Sequence, residues 1–495
     1  MATQSSARLL LFDSTLLPLA HIWAAGVPGP FAAKITGLWR TWRYFRLSWH
    51  DDIISLHDTY GPVVRIAPGE VSVVDADAVK RMYSHGSNTK KTAWYDTWSN
   101  GVTVPILFSE TDKKIHAALR RRVSSAYSMT NVLKYELYMQ ECFDLCMKKF
   151  RKYADGRTAI DMSEWTHALA FDIVGELCFG KKLGHLEAEV DVGGLRSANT
   201  ADIYWAGNFG HLWFQTSLYL NPYMDAILKL FRLNNAGMDE FYAWNFGQIM
   251  ARKEGRGDPQ REDMLTHFLR MKPMPGNKEL DDMEVFVEAV NVIGAGADTT
   301  AIGMRSCLYY VCTHPDVYKR LQQDIDDYHT QNQLDGPTTY TQAQKLPYLR
   351  AVVAEATRLL PSIVYQLLRE APEEGITVND CFIPPGTSIG ISPLAQNRDK
   401  GIWGKDANEF RPERWIEDPS KTAFYESYNM TFGGNGPRAC VGKNLALVEM
   451  YKFLSQLLRD FDVEIVNTAK PWNIKTYWFM DQTEFFVRLH TRTVT

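Results

Sequence analysis

Between residues 112 and 360 the apolar positions recur mostly at intervals of three and four, the spacing of helices that bury one face. That spacing predicts helices over 112–128, 131–154, 162–180, 222–255, 281–313, 315–330 and 348–360. Strict alternation is rarer. It predicts a hairpin of Val63–Ala67 and Val71–Val74 turning at Pro68-Gly69, short strands between 376 and 391, and an alternating run from Thr476 to Leu489. No repeat or low-complexity linker divides the chain, so the expectation is one large, mainly α domain with a minor β portion over residues 31–495.

Two apolar stretches raise the question of a membrane. Leu9 to Ala25 is interrupted by Asp13, Pro18 and His21 and falls short of the roughly 20 clean apolar residues of a span. Residues 1–30, ending in the stiff Gly26-Val27-Pro28-Gly29-Pro30 hinge, are therefore a candidate anchor of the shallow, interfacial kind, and no secretory signal pattern is present. The basic aromatic stretch Trp39, Arg40, Trp42, Arg43, Tyr44, Arg46 suits lipid headgroups. Met283 to Cys312 is apolar enough to span, but Asp298 and Arg305 lie inside it. Its centre, Gly294-Ala295-Gly296-Ala297-Asp298-Thr299-Thr300, carries two glycines that cost roughly 1 kcal/mol each relative to Ala in a helix. A helix made weak and polar at its midpoint predicts a functional break, with Asp298 and Thr299 placed to hold water or gate protons beside a buried reaction centre.

Composition narrows the class. An apolar fraction of 45% and a charged fraction of 23% describe a globular chain with a large core. A net charge of -4 without long basic runs argues against nucleic acid as a partner. Seven scattered cysteines with no C-x-x-C pair read as reduced thiols, and Cys142 with Cys146 reads as core packing. Cys440 is different. It closes Thr431-Phe432-Gly433-Gly434-Asn435-Gly436-Pro437-Arg438-Ala439-Cys440-Val441-Gly442, too rich in glycine for a regular element, just before an apolar helical run. A thiol at a helix N-terminus is pulled toward the thiolate, a strong soft metal ligand that something large and flat could approach.

Four stretches in this order and spacing, "AGADTT" at 295–300, "EATR" at 355–358, "FRPERW" at 410–415 and "GNGPRACVG" at 434–442, resemble the cytochrome P450 haem-thiolate monooxygenases. The resemblance runs from about Pro28 to the C-terminus and is most like fungal microsomal members of secondary metabolism. It implies the P450 fold and heme b, with Cys440 as the axial thiolate and Arg438, Arg369, His116 and Arg120 at the propionates. Glu355, Arg358 and Arg414 match the structural triad, and Asp298 with Thr299 matches the acid–alcohol pair of the oxygen-activating helix. Electrons would come from NADPH-cytochrome P450 reductase, in some members with cytochrome b5, at the cytosolic face of the endoplasmic reticulum membrane; a cytosolic protein is the alternative.

The expected reaction is oxidation of an apolar organic small molecule. The alternative is a haem-thiolate isomerase, dehydratase or oxidative coupling enzyme. The resemblance places the substrate pocket at Trp94, Tyr95, Trp98, Val102, Val104, Ile106 and Leu107, the stretch 204–219, the central helix, Ile363 to Gln366, and Trp478 to Met480. Two departures from the family stand out. Gly433 occupies the place of a phenylalanine, with Phe432 one residue further away, and Asn397 and Lys400 stand where His and Pro are usual.

Overall fold

The computed structural model describes residues 26–99, 104–212, 236–256, 258 and 260–492. Its axis is the helix Asp282–Thr313, which starts where the Asp281 carboxylate accepts from Met283 N–H at 2.9 Å and ends two residues before Pro315. Val285, Ala289, Val292, Ile293, Ala301 and Leu308 are buried on several faces of it, because helices Met162–Phe179, Pro347–Leu359 and Lys443–Asp460 pack around it. Gly303 is required by one of those contacts: a Cβ there would lie 2.6 Å from Met450 Sδ. Arg305 is buried and donates to Ser163 O, Gln482 Oε1 and Asp481 Oδ1, each at 3.0 Å. Long and apolar enough to cross a membrane, this helix is instead the spine of the core. It also runs unbroken through Gly294–Thr300, so the expected break does not occur. Packing on its flanks outweighs the propensity cost of two glycines.

The predicted helices appear as Lys113–Val123, Met129–Tyr153, Met162–Phe179, Pro315–Gln331 and Pro347–Leu359, with Ala236–Lys253 at the end of the fourth. Residues 222–235 of that reading lie outside the described residues, as do 1–25, Val102 and 213–219. Helix Leu195–Phe209 was not anticipated: its polar Asn199 and Asn208 are buried, which hides its inward face from a hydrophobicity pattern.

Strands gather in small sheets at the edge of the helical body. One has the order Val63–Ala67, Glu70–Val73, Ser388–Gly390, Arg369–Glu370, Lys90–Lys91. Its first pair is the predicted hairpin, with Val64 opposite Ser72, and Val71 pairs in parallel with Ile389. A second has Asp155–Asp161, Phe486–Thr491 and Phe461–Ile465 in that order. Phe461-Asp462-Val463-Glu464-Ile465 alternates buried and exposed, a strand signal that the adjoining apolar helix obscured. Two hairpins, Ile376–Val378 with Cys381–Ile383 and Asn473–Tyr477 with Phe479–Thr483, complete the β portion. All seven cysteines are free thiols, and Cys142 and Cys146 are fully buried.

Candidate active site

The cysteine loop begins where Met430 leaves the core and ends at helix Lys443–Asp460. Gly433 and Gly434 take φ of +77° and +80°, a left-handed region that favours glycine. No phenylalanine stands at Gly433 because the backbone turns there. Phe432, one residue earlier, accepts from Cys440 N–H at 2.8 Å, and its ring lies 5.6 Å from Lys443 Nζ. Gly436 meets a different demand, close approach: a Cβ would fall 1.7 Å from Tyr83 O.

Cys440 precedes the helix by three residues, and its thiol is accessible although protein surrounds it. Burial pushes its pKa up, against the lowering pull of the Gly442 and Lys443 N–H groups and the Arg120 and Lys443 charges. The expected net depression of the thiol is therefore reversed here; desolvation of a bare anion outweighs the helix terminus. Ala295 is likewise exposed although its helix is packed from all sides, and Thr299 is half-buried. The two lie four residues apart on one face of the helix.

Basic side chains gather beside the loop. Arg120 donates to Ala439 O at 2.6 Å, and Arg438 to Glu110 O at 2.5 Å and Thr111 O at 3.1 Å. Arg369 donates to Leu368 O at 2.8 Å and covers the Tyr83 ring at 4.7 Å. Lys91, which the sequence reading missed, donates to Phe108 O and lies 3.9 Å from the Tyr95 ring centre. Burial, together with the charges of Arg369 and Arg438, pushes the Lys91 pKa well down. Burial and then the charges of Arg438, Lys91, Arg120 and Arg369 hold His116 neutral, its pKa lowered to about 3. Burial and Arg369 bring Arg438 down to about 10. Among the described residues none of these five forms an ion pair with a carboxylate. Arg120, Arg369, Arg438 and Lys91, each held by a carbonyl, with neutral His116 beside them, fit an anion with more than one carboxylate.

Glu355, Arg358 and Arg414 meet in full burial. Glu355 accepts from Arg358 Nε and Nη2 and from Arg414 Nε, each at 2.8 Å, and from Trp415 Nε1 at 2.9 Å. These bonds pull the carboxyl below its ordinary pKa although burial, the largest single influence, acts upward. Arg358 continues to Asn397 O at 2.5 Å and Ala407 O at 2.7 Å. Asn397, at the family's histidine position, donates to Arg358 O at 3.2 Å and Thr431 Oγ1 at 3.1 Å and accepts from Met430 N–H at 2.9 Å. One amide thus joins the triad to the start of the cysteine loop. A buried pair of this kind is costly to break singly, about 3–5 kcal/mol, because the remaining charge is stranded.

Asp298 and Thr299 sit side by side on the central helix but face different neighbours. The Thr299 hydroxyl donates back to Ala295 O at 2.8 Å, and Ser362 Oγ donates to Thr299 O at 2.7 Å. Asp298 is buried; His167 Nε2 meets its Oδ1, and Asn199 Nδ2 donates to its Oδ2 at 2.9 Å. Neither partner carried any sequence signal, since each lies about a hundred residues away or more.

Above this lies an aromatic wall. Trp94 packs at 4.8 Å from Trp478 and 5.5 Å from Trp98, and Phe108 stands 5.3 Å from Trp98. Trp478 takes φ of +90° at the tip of its hairpin, a strained backbone for a bulky residue, and Val364 N–H holds its carbonyl at 3.1 Å. Trp94, Trp98, Val364 and Trp478 come from three of the predicted pocket stretches.

The model of the cytochrome P450 family matches residues 28–486. Among curated relatives, the cytochrome P450 monooxygenase gsfF of Penicillium aethiopicum is 32% identical, aligned over 97% of this chain and 95% of that one. A pisatin demethylase of Fusarium vanettenii is 30% identical over 92% and 86%, and the cytochrome P450 monooxygenase cicH of Emericella nidulans 29% identical over 97% and 95%. The chain belongs to the cytochrome P450 family. It is an oxygen-incorporating oxidoreductase of organic substrates, similar to enzymes of fungal secondary metabolism, and the isomerase, dehydratase or coupling alternative is not favoured.

Proposed function

We propose that this monooxygenase holds heme b through Cys440 and oxidises an apolar, aromatic-compatible small molecule with electrons from NADPH-cytochrome P450 reductase. The observation that carries this is the set of five basic side chains without a carboxylate partner beside the only exposed cysteine. When bound, a thiolate-ligated haem supplies dioxygen activation, the sulfur pushing electron density toward O–O cleavage. Cys440 would be deprotonated by the metal, offsetting the burial that now raises its pKa. Arg120, Arg369 and Arg438, with Lys91 and His116, would take the propionates.

Asp298 would supply protons and the Thr299 hydroxyl would hold water, once released from Ala295 O. Trp94, Trp98 and Trp478 favour a planar apolar substrate and keep bulk water out. The protein would work on the cytosolic face of the endoplasmic reticulum membrane. Reduced protein under CO should show the thiolate Soret band. Cys440→Ala should abolish it, and a Cys440→Ala protein that keeps the band would overturn the ligand assignment.

A further inference from the structure

The acid of the central helix does not stand alone. Its two carboxylate oxygens are taken by His167 and Asn199, both from neighbouring helices. Of these only His167 has ring nitrogens that both accept and donate a proton; an amide cannot carry one. The His167 side chain is 18% exposed, whereas that of Asp298 is 5% exposed. His167 therefore lies between the buried acid and the outside.

The outside at this point is a cleft of about 460 Å³ lined by His167 together with Glu164, Asp191, Arg196, Arg305 and Asp481. Most of its charges are paired: Arg196 with Glu164 at 2.9 Å and Asp191 at 3.7 Å, and Arg305 with Asp481 at 3.0 Å, while Lys475 adds a further cation to the lining. A cleft carrying these charged side chains is open to water, and it ends on a half-buried imidazole bonded to a buried carboxylate.

We propose that His167 is a positioning residue that reloads Asp298 with protons from this cleft. A proton from cleft water enters the ring at Nδ1 and the Nε2 proton passes to Asp298 Oδ1; the ring then swings toward the cleft, gives its Nδ1 proton to water and takes one at Nε2, which restores the starting tautomer. No electrons move, and each proton Asp298 delivers inward is replaced by one from water. Asn199 holds the second oxygen so that the carboxylate keeps facing His167. The proposal rests on the reading of Asp298 as a proton donor.

The test uses the haem-loaded enzyme with its reductase, comparing His167→Gln, which keeps a donor but cannot carry a proton, with Asp298→Asn. A positioned acid or base contributes typically 10²–10⁴-fold, and with water standing in for the ring the expected fall in coupled turnover for His167→Gln is about tenfold or more. It should come with a larger solvent deuterium isotope effect and an unchanged CO spectrum. A readout independent of turnover is NMR of ring-labelled histidine in the diamagnetic CO form: the His167 ring protons should exchange with bulk water and its nitrogen signals should move in Asp298→Asn. Unchanged turnover and isotope effect in His167→Gln, or His167 ring protons that do not exchange with bulk water, overturns the relay. So does full turnover by Asp298→Asn. Failure of the haem reading itself would show separately, as a wild type without the thiolate band.

Discussion

At the scale of single residues, the chemistry near Cys440 is governed by burial acting against charge. His116 illustrates it: basic groups crowd one place, and the one with the lowest ordinary pKa discharges. A histidine pushed from 6.5 to about 3 binds fewer protons in the folded than in the unfolded chain throughout that window. Stability from this group is therefore present above pH 6.5 and is lost as pH falls toward 3, with a slope of up to about 1.4 kcal/mol per pH unit. Haem-depleted His116→Gln should lack that part of the slope in urea unfolding followed between pH 7 and 4. Bound haem should flatten it in the wild type as well, because propionates beside the ring favour its charged form.

What the sequence disclosed at this scale follows from spacing. Glu355 and Arg358 are one helical turn apart, and Arg438 and Cys440 share a loop, so their relation is written locally. Lys91, His167 and Asn199 reach the site only through the tertiary fold. Nothing in their neighbours distinguishes them from surface lysines, turn asparagines or core histidines.

Among elements, the long helices were legible because periodicity survives over many turns, and the central helix was misread only where glycine propensity was weighed without packing. The short strands were harder. Lys90–Lys91 and Arg369–Glu370 exist because they pair with each other and with Ser388–Gly390, not because of intrinsic preference. The cysteine loop is the element most sensitive to a single methyl group. Tyr83 is pinned by its hydroxyl, which donates to Leu367 O at 2.5 Å and accepts from Ile391 N–H at 3.0 Å, so it cannot retreat from Gly436. Gly436→Ala should then displace the loop, costing about 1–3 kcal/mol or more and most of the haem content, read as Soret absorbance per protein. Gly37→Ala, at a site with nothing within 4 Å, is the control that should change neither.

On the whole molecule, one face is out of keeping with a protein bathed only in water. Phe31, Ile35, Leu38 and Trp42 are 77%, 60%, 65% and 56% exposed and recur at intervals of four, three and four along helices Phe31–Ile35 and Leu38–Phe45. Arg43 and Arg46 lie over the Trp42 ring at 5.5 and 5.1 Å, which places guanidinium groups at the border of the apolar stripe. Trp205, 46% exposed, belongs to helix Leu195–Phe209, which packs against helix Leu38–Phe45. Aromatic and aliphatic tips flanked by arginine are the arrangement of a surface that rests in lipid headgroups.

We propose on that basis that membrane contact would not depend on the N-terminal segment alone. Protein lacking residues 1–25 should still sediment with vesicles containing anionic lipid, and less so at high salt, since part of the attraction is Coulombic. Leu38→Ser with Trp42→Ser should weaken that binding by about tenfold or more, as each buried apolar side chain is worth roughly 1.5–3 kcal/mol at most. The CO spectrum should stay unchanged, because neither side chain approaches Cys440. Truncated protein that ignores the vesicles would leave residues 1–25 as the sole anchor.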